Sequence, residues 1–217
     1  MVARAVDLDV ANAALAARDA PARVEWALDQ LPGEHVLTSS FGAQAAVMLH
    51  LASSRRPTLP VVLLDTGYLF PETYRFVDEL TERLALNLRV YRARETPAWQ
   101  EARHGRLWEQ GTAGLDRYHH LNKIEPLQRA FAELRAGTWL SGLRRSQSRS
   151  RAAVPFVELR DGRYKVHPLA DWTDRDVGRY LAAHALPYHP LWERGYVSIG
   201  DWHSTRSLAD AGSVEQA

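Results

Sequence analysis

LPVVLLD, residues 59–65, is a run of six apolar residues closed by a single carboxylate. A strand with one wet face alternates apolar and polar side chains. A run with no polar face is expected of a parallel strand covered by helices on both sides. The flanking sequence agrees. His35-Val36-Leu37-Thr38-Ser39-Ser40 reads as an earlier short strand, followed by Phe41-Gly42-Ala43 and a helical run to about Ala52. Beyond Asp65, Thr66-Gly67 turns the chain and Pro71 opens a helix, whose Phe76, Val77, Leu80 and Leu84 mark one apolar face. Leu88 to Tyr91 reads as a third strand and Thr138 to Gly142 as a fourth. Strands alternating with helices predict an α/β fold, a doubly wound and mostly parallel sheet with right-handed crossovers. Ligands of such sheets sit at the carboxyl ends of strands, which directs attention to the loops after Ser40, Asp65 and Gly142.

The remaining sequence fills in around this core. Leu8 to Leu31 is Ala-rich and reads as one or two helices interrupted near Pro21, ending at Pro32-Gly33. Asp116 to Arg135 reads as a long helix broken near Pro126, whereas Arg92 to Gly114 carries no decisive pattern. Phe156–Arg160 and Tyr164–His167, joined by Asp161-Gly162, predict a hairpin with a type I′ turn. Thr173 to His184 predicts a helix with Thr173 as N-cap and Asp176 at N3. From Leu186 onward the chain is turn-rich. With no repeats or linkers, 217 residues suit one domain. Its expected parts are a helical segment 1–31, the α/β domain 32–206 and a tail 207–217.

Composition narrows the function classes. Twenty-seven basic against 26 acidic residues leave a formal charge of +1. A nucleic-acid binder carries a larger basic excess, so no nucleic-acid partner is expected, and any bound anion is small and locally gripped. No apolar run approaches the roughly 18–20 residues needed to cross a bilayer. Met1 to Asp19 lacks the order of a signal peptide, so a cytoplasmic protein without membrane attachment is expected. The sequence contains no cysteine, which excludes disulfides, thiolate zinc sites and Cys-ligated iron–sulfur clusters from these residues. The nine histidines form no HExxH, and His119 and His120 on one helix point about 100° apart. Neither a metal nor another cofactor is expected.

Several segments carry chemistry. Ser39, Ser40, Gly42 and Ala43 stand where a strand gives way to a helix, so their amides and hydroxyls suit an anion; an ordinary βα turn with a Ser cap reads equally well. Leu64-Asp65-Thr66-Gly67 ends the next strand and could border a nucleoside. Gly142 to Arg151 places four arginines, Arg144, Arg145, Arg149 and Arg151, within eight residues after a buried strand. Arginine's planar fork matches phosphate and sulfate, and that position favours oxyanion binding over a solvated charge run. Lys123 alone reads as a surface lysine, and Gly195 to Arg206 as an ordered loop.

Taken together, SSFGAQA at 39–45, LDTGYLFPETY at 64–74, NKIEPL at 122–127, TWLSGLRRSQSRSRA at 138–152, HPLADWTDRDVGRYL at 167–181 and YHPLWERGYVSIGDWHSTR at 188–206 resemble the sulfonucleotide reductases. The resemblance implies an adenine nucleotide alpha-hydrolase-like fold in which SSFGAQA is a modified PP-loop. It implies that Ser39, Ser40, Gly42 and Ala43 line the phosphate and that Leu64, Asp65, Thr66 and Gly67 hold adenosine. Lys123, Arg144, Arg145 and Arg206 would face the phosphosulfate or the 3′-phosphate. Relatives that reduce adenylyl sulfate carry cysteine pairs for a [4Fe–4S] cluster where this chain has His119-His120 and Asp201 to Ser204. The resemblance is therefore to the cluster-free branch, the phosphoadenylyl-sulfate (PAPS) reductases, which use thioredoxin or glutaredoxin; a homodimer is also implied.

That branch attacks sulfur with a cysteine in a Glu-Cys-Gly-Leu-His motif near its C-terminus. The sequence reaches Ala217 without it, as a shortened polypeptide or a naturally thiol-less homologue would. Nucleotide binding without a nucleophile is the expectation for these residues. Two alternatives stand beside it. One is an ATP-splitting adenylyltransferase or ATP-pyrophosphatase relative, which would show Ser-Gly-Gly-x-Asp-Ser where this chain has Phe41 and no aspartate. The other is a non-catalytic nucleotide-binding homologue.

Overall fold

Val61, Val62 and Leu63 are at most 2% exposed, as an all-apolar strand between two helical layers requires. A computed structural model describes residues 6–211. The elements run α1 (Leu8–Ala16), α2 (Ala20–Gln30), β1 (Glu34–Thr38), α3 (Ala45–Ser53), β2 (Pro60–Asp65), α4 (Pro71–Arg83), β3 (Asn87–Arg92), α5 (Pro97–His104), α6 (Gly111–His119) and α7 (Glu125–Glu133). There follow β4 (Ala136–Ser141), the pair β5 (Val157–Arg160) and β6 (Arg163–Val166), α8 (Asp174–Ala183) and the single turn α9 (Leu208–Ala211). The sheet order is β3-β2-β1-β4-β6-β5, parallel throughout except for the edge strand β5. This is the mostly parallel α/β sheet that the sequence predicts.

The connectivity positions the site. From β1 the chain winds outward through β2 to β3, then returns to place β4 on the other side of β1. The direction of winding therefore reverses between β1 and β4. At such a switch point the loops leaving neighbouring strands part and open a crevice.

Local chemistry explains the boundaries. Pro21 and Pro71 sit in the first turns of α2 and α4, where a missing N–H costs nothing. Thr173 and Asp176 close a reciprocal capping box on α8. Asp161 and Gly162 both have positive φ, 50° and 74°, as a type I′ hairpin turn demands. The helix broken near Pro126 continues in direction but widens: His120–Ile124 forms a π-turn in which the Glu125 amide reaches back to the His120 carbonyl. Pro126 has no amide to give to residue 122 and its ring crowds that carbonyl, so the preceding turn opens. The unpatterned stretch after Arg92 contains α5, capped by the Thr96 hydroxyl, and the start of α6.

The N-terminal helices share the main core: Leu15, Val24 and Leu28 pack in one cluster with Leu37, Leu51 and Val157. Arg23, 2% exposed, clamps Asp171 with two hydrogen bonds of 2.5 and 2.7 Å. Of the tail expected at 207–217, Ser207 to Ala211 form a short turn whose Leu208 amide donates to the Gly195 carbonyl. Residues 212–217, and residues 1–5 of the N-terminal segment, lie outside the described residues.

Candidate active site

The loops after β1 and β4 border a cavity of about 1010 Å³. Its first wall is the turn into α3. Phe41, fully buried, takes a φ of 51°, a costly conformation for a bulky residue. Core burial of its ring holds the loop there, and the Phe41 amide is satisfied by the Ser39 hydroxyl at 3.1 Å. Ser39, Ser40, Gly42 and Ala43 all line the cavity. No side chain caps α3; its Ala45 and Val47 amides donate to the Gly42 and Gln44 carbonyls, and the positive end of its dipole borders the cavity.

The second wall is the loop after β4. Gly142 lets this loop pack close to α3, since a Cβ there would stand 3.2 Å from Met48 Cβ. Arg144 lines the cavity although it is only 5% exposed. Its guanidinium is fixed by Asp174 at 2.9 Å, by the Gln44 side chain, and more loosely by Ser146 and the Trp172 carbonyl. A cation locked in this way meets a ligand without losing rotamer freedom.

Arg145 points elsewhere. It begins a 3-10 turn, its Nε donates to the Val154 carbonyl at 2.8 Å and its guanidinium lies 4.7 Å from the Phe156 ring, outside the cavity lining. Arg149 and Arg151 of the same loop line the cavity instead, together with Lys165 on β6.

The third wall joins distant parts of the chain. Lys123, in the π-turn, lines the cavity with its Nζ 2.9 Å from Asp201 Oδ2. Asp201 is 2% exposed and also accepts from the Thr66 hydroxyl at 2.5 Å and the Tyr118 hydroxyl at 2.9 Å. Burial would push its carboxyl up; the Lys123 ammonium and these hydrogen bonds outweigh that and hold it below the ordinary carboxylate range. Thr66 and Leu64 line the cavity.

Asp65 and Gly67 do not line it. Asp65 spends its oxygens on the Gly67 amide, the Tyr74 hydroxyl and Arg92, and Gly67 supplies a turn at φ 76° packed against Pro97. Arg206 is exposed and likewise outside the lining.

Beside Asp201, the His203 ring stacks on Trp108 at 4.1 Å among Tyr68, Tyr118 and Trp202. Both its ring nitrogens are buried without a hydrogen-bond partner, and burial lowers its pKa. Among the described residues no three His, Asp or Glu side chains converge on a point that could hold a metal ion.

The sequence signal for Lys123 and for residues 195–206 was weak because each reads alone as ordinary surface. Lys165 carries no sequence signal that marks it out, and Gln44 and Ser141 lie within the 39–45 and 138–152 motifs without standing out by their own chemistry.

Comparison with known proteins bears on this arrangement. Residues 34–207 match the phosphoadenosine phosphosulfate reductase domain. The chain is 64% identical over 200 residues to the phosphoadenosine 5′-phosphosulfate reductase of Xanthomonas campestris pv. campestris strain B100, covering 92% of this chain and 83% of that protein. It is 61% identical over 210 residues to the Alkalilimnicola ehrlichii protein of the same name, covering 97% and 86%. The crystal structure of PAPS reductase from Candida auris, a phosphate complex, superposes with a TM-score of 0.82 at 32% identity over 94% of this chain and all of that one. The FMN adenylyltransferase of Candida glabrata, at TM-score 0.61 and 17% identity, covers 97% of this chain and 71% of its own and shares the fold.

Proposed function

Because the chain belongs to the phosphoadenosine phosphosulfate reductase family, we propose that its cavity takes 3′-phosphoadenylyl sulfate, which the enzyme reduces to sulfite and adenosine 3′,5′-bisphosphate. One observation supports this reading above others. The start of α3, Arg144 with its pinned guanidinium, and Lys123 all line one cavity at the switch point of the sheet.

The positive end of the α3 dipole and the Ser39 and Ser40 hydroxyls would meet phosphate oxygens, and Leu64 and Thr66 would border the nucleoside. Breaking the bond between sulfur and the bridging oxygen leaves negative charge on the departing 5′-phosphate. Cations already fixed in place stabilise that charge without reorganising. A thiolate attacks the sulfur, takes the sulfuryl group as S-sulfocysteine and releases the bisphosphate. A second thiol, from thioredoxin or glutaredoxin, then attacks the cysteine sulfur, forms a mixed disulfide and expels sulfite.

These 217 residues contain no cysteine, so the first thiolate is not among them. Serine is no substitute, since its hydroxyl ionises too reluctantly and thiol exchange cannot cleave an O-sulfo adduct. The residues described here bind the nucleotide and stabilise its leaving group. Family resemblance adds a homodimer and a cytoplasmic setting to the proposal, and among the described residues no helix is long and apolar enough to cross a membrane.

Equilibrium titration tests the reading. Adenosine 3′,5′-bisphosphate should bind at least a hundredfold more tightly than adenosine, about 2.7 kcal/mol, which is roughly one or two charge-assisted hydrogen bonds. Tighter binding of ATP–Mg than of the bisphosphate would overturn it in favour of the ATP-splitting relatives.

A further inference from the structure

Ser141 is the last residue of β4 and lines the cavity, half-buried. Its Oγ lies 2.8 Å from Nδ1 of His167, and His167 Nε2 lies 3.1 Å from Glu158 Oε1. The three residues come from three places in the chain, and the sheet aligns them. Leu140 pairs with Val166 in register, so Ser141 and His167 follow side by side; Glu158 on β5 faces Lys165 on β6, two residues before the histidine. His167 is fully buried.

Protons along this chain can be assigned. A carboxylate accepts and does not donate, so the proton between His167 and Glu158 sits on Nε2. Burial pushes the His167 pKa down, and a neutral imidazole protonated on Nε2 has a lone pair on Nδ1. Ser141 must then donate its only proton to His167. Towards the cavity its oxygen can offer only lone pairs.

We propose that the Ser141–His167–Glu158 relay makes Ser141 an obligatory hydrogen-bond acceptor in the cavity, selecting a neutral O–H or N–H donor of the bound nucleoside. The inference rests on the reading of the cavity as a nucleotide site. An anionic oxygen placed against Ser141 would meet lone pairs and be repelled, so the phosphates and sulfate belong to the α3 and Arg144 side. A nucleoside 3′,5′-bisphosphate retains two kinds of neutral donor, the ribose 2′-hydroxyl and the exocyclic amine of adenine. Ser141 touches the ligand directly; His167 and Glu158 are positioning residues that fix its proton.

The experiment compares three ligands, adenosine 3′,5′-bisphosphate, its 2′-deoxy counterpart and inosine 3′,5′-bisphosphate, on the wild-type chain and on Ser141→Ala by calorimetric titration. The wild type should lose about fivefold to twentyfold in affinity for the analogue that lacks the donor. Which analogue loses identifies the group. Ser141→Ala should bind the parent compound and that analogue within about twofold of each other, and Ser141→Thr, which keeps the hydroxyl, should restore the discrimination. Ser141→Cys, near-isosteric and a weak acceptor, serves if the alanine variant does not fold.

Equal wild-type affinity for all three ligands, or the same loss in Ser141→Ala as in the wild type, overturns the inference and leaves the nucleotide site standing. Failure of the wild type to bind the parent bisphosphate at all overturns the site itself.

Discussion

Replacing Arg144 with alanine removes a cation that is almost wholly buried yet borders the cavity. Affinity for adenosine 3′,5′-bisphosphate should fall by about 1.5–3 kcal/mol, the range for a hydrogen bond to a charged group, while adenosine binding stays unchanged. Arg145→Ala should leave bisphosphate affinity within about twofold. It should instead lower stability by roughly 0.5–1 kcal/mol, through loss of its stacking on Phe156. Titration and urea unfolding of the two variants separate these roles. Equal affinity losses would mean that Arg145 reaches the ligand after all. Asp201 gives a second test at this scale. Its folded pKa lies below the unfolded value, so it contributes stability above about pH 4 that is lost as pH falls through the folded value. Urea midpoints measured from pH 5 down to pH 2 should fall less steeply for Asp201→Asn than for the wild type.

At the scale of elements, the loop that closes the cavity from the C-terminal side hangs on His189. Its amide donates to the Ala43 carbonyl at 3.0 Å, its Nδ1 accepts from the Leu191 amide, and its Nε2 therefore donates to the Thr73 hydroxyl. Every polar atom of the ring is committed to the neutral form, and burial pushes the pKa down to about 4. The unfolded chain takes up a proton near pH 6.5, before the folded one does, so stability should decline as pH falls from about 6.5 to 4, by up to about 3 kcal/mol. His189→Gln should flatten that slope in urea unfolding, and an unchanged slope would assign it to another group. Helix α8 carries Asp174, which holds Arg144. Thr173→Ala, by opening the capping box, should cost about 1 kcal/mol.

For the whole molecule, ligand binding and stability are linked by mass action. Bisphosphate at a hundred times its Kd should stabilise the fold by about 2.7 kcal/mol, raising Tm by roughly 5–10 °C for a chain of this size. ATP–Mg at equal concentration should raise it less. The 217-residue chain should bind PAPS yet release no sulfite with thioredoxin and its reductase, because it contains no thiol to accept the sulfuryl group. A longer polypeptide carrying an appended Glu-Cys-Gly-Leu-His segment should release sulfite, and its Cys→Ser form should not. Sulfite from the chain as it stands would assign the chemistry to a different group.

The sequence by itself determined much that depends on near neighbours, though not α5 with its local Thr96 cap. The apolar run at 59–65 required a strand buried on both faces, Asp161-Gly162 a tight hairpin, and Thr173 with Asp176 a helix start. The ordered motifs from SSFGAQA to DWHST pointed to the family. Periodicity and turn chemistry act over a few residues, so they are legible in a string. What only the tertiary structure decided is which side chains face one another. Adjacent arginines diverge because a 3-10 turn sends Arg145 onto Phe156 while Arg144 stays with Asp174. Lys123 becomes a cavity residue through Asp201, 78 positions away, and Ser141 acquires its proton partner through the register of β4 against β6. These pairings follow from strand order and packing, which bring together residues far apart in the chain and leave no local pattern in the sequence.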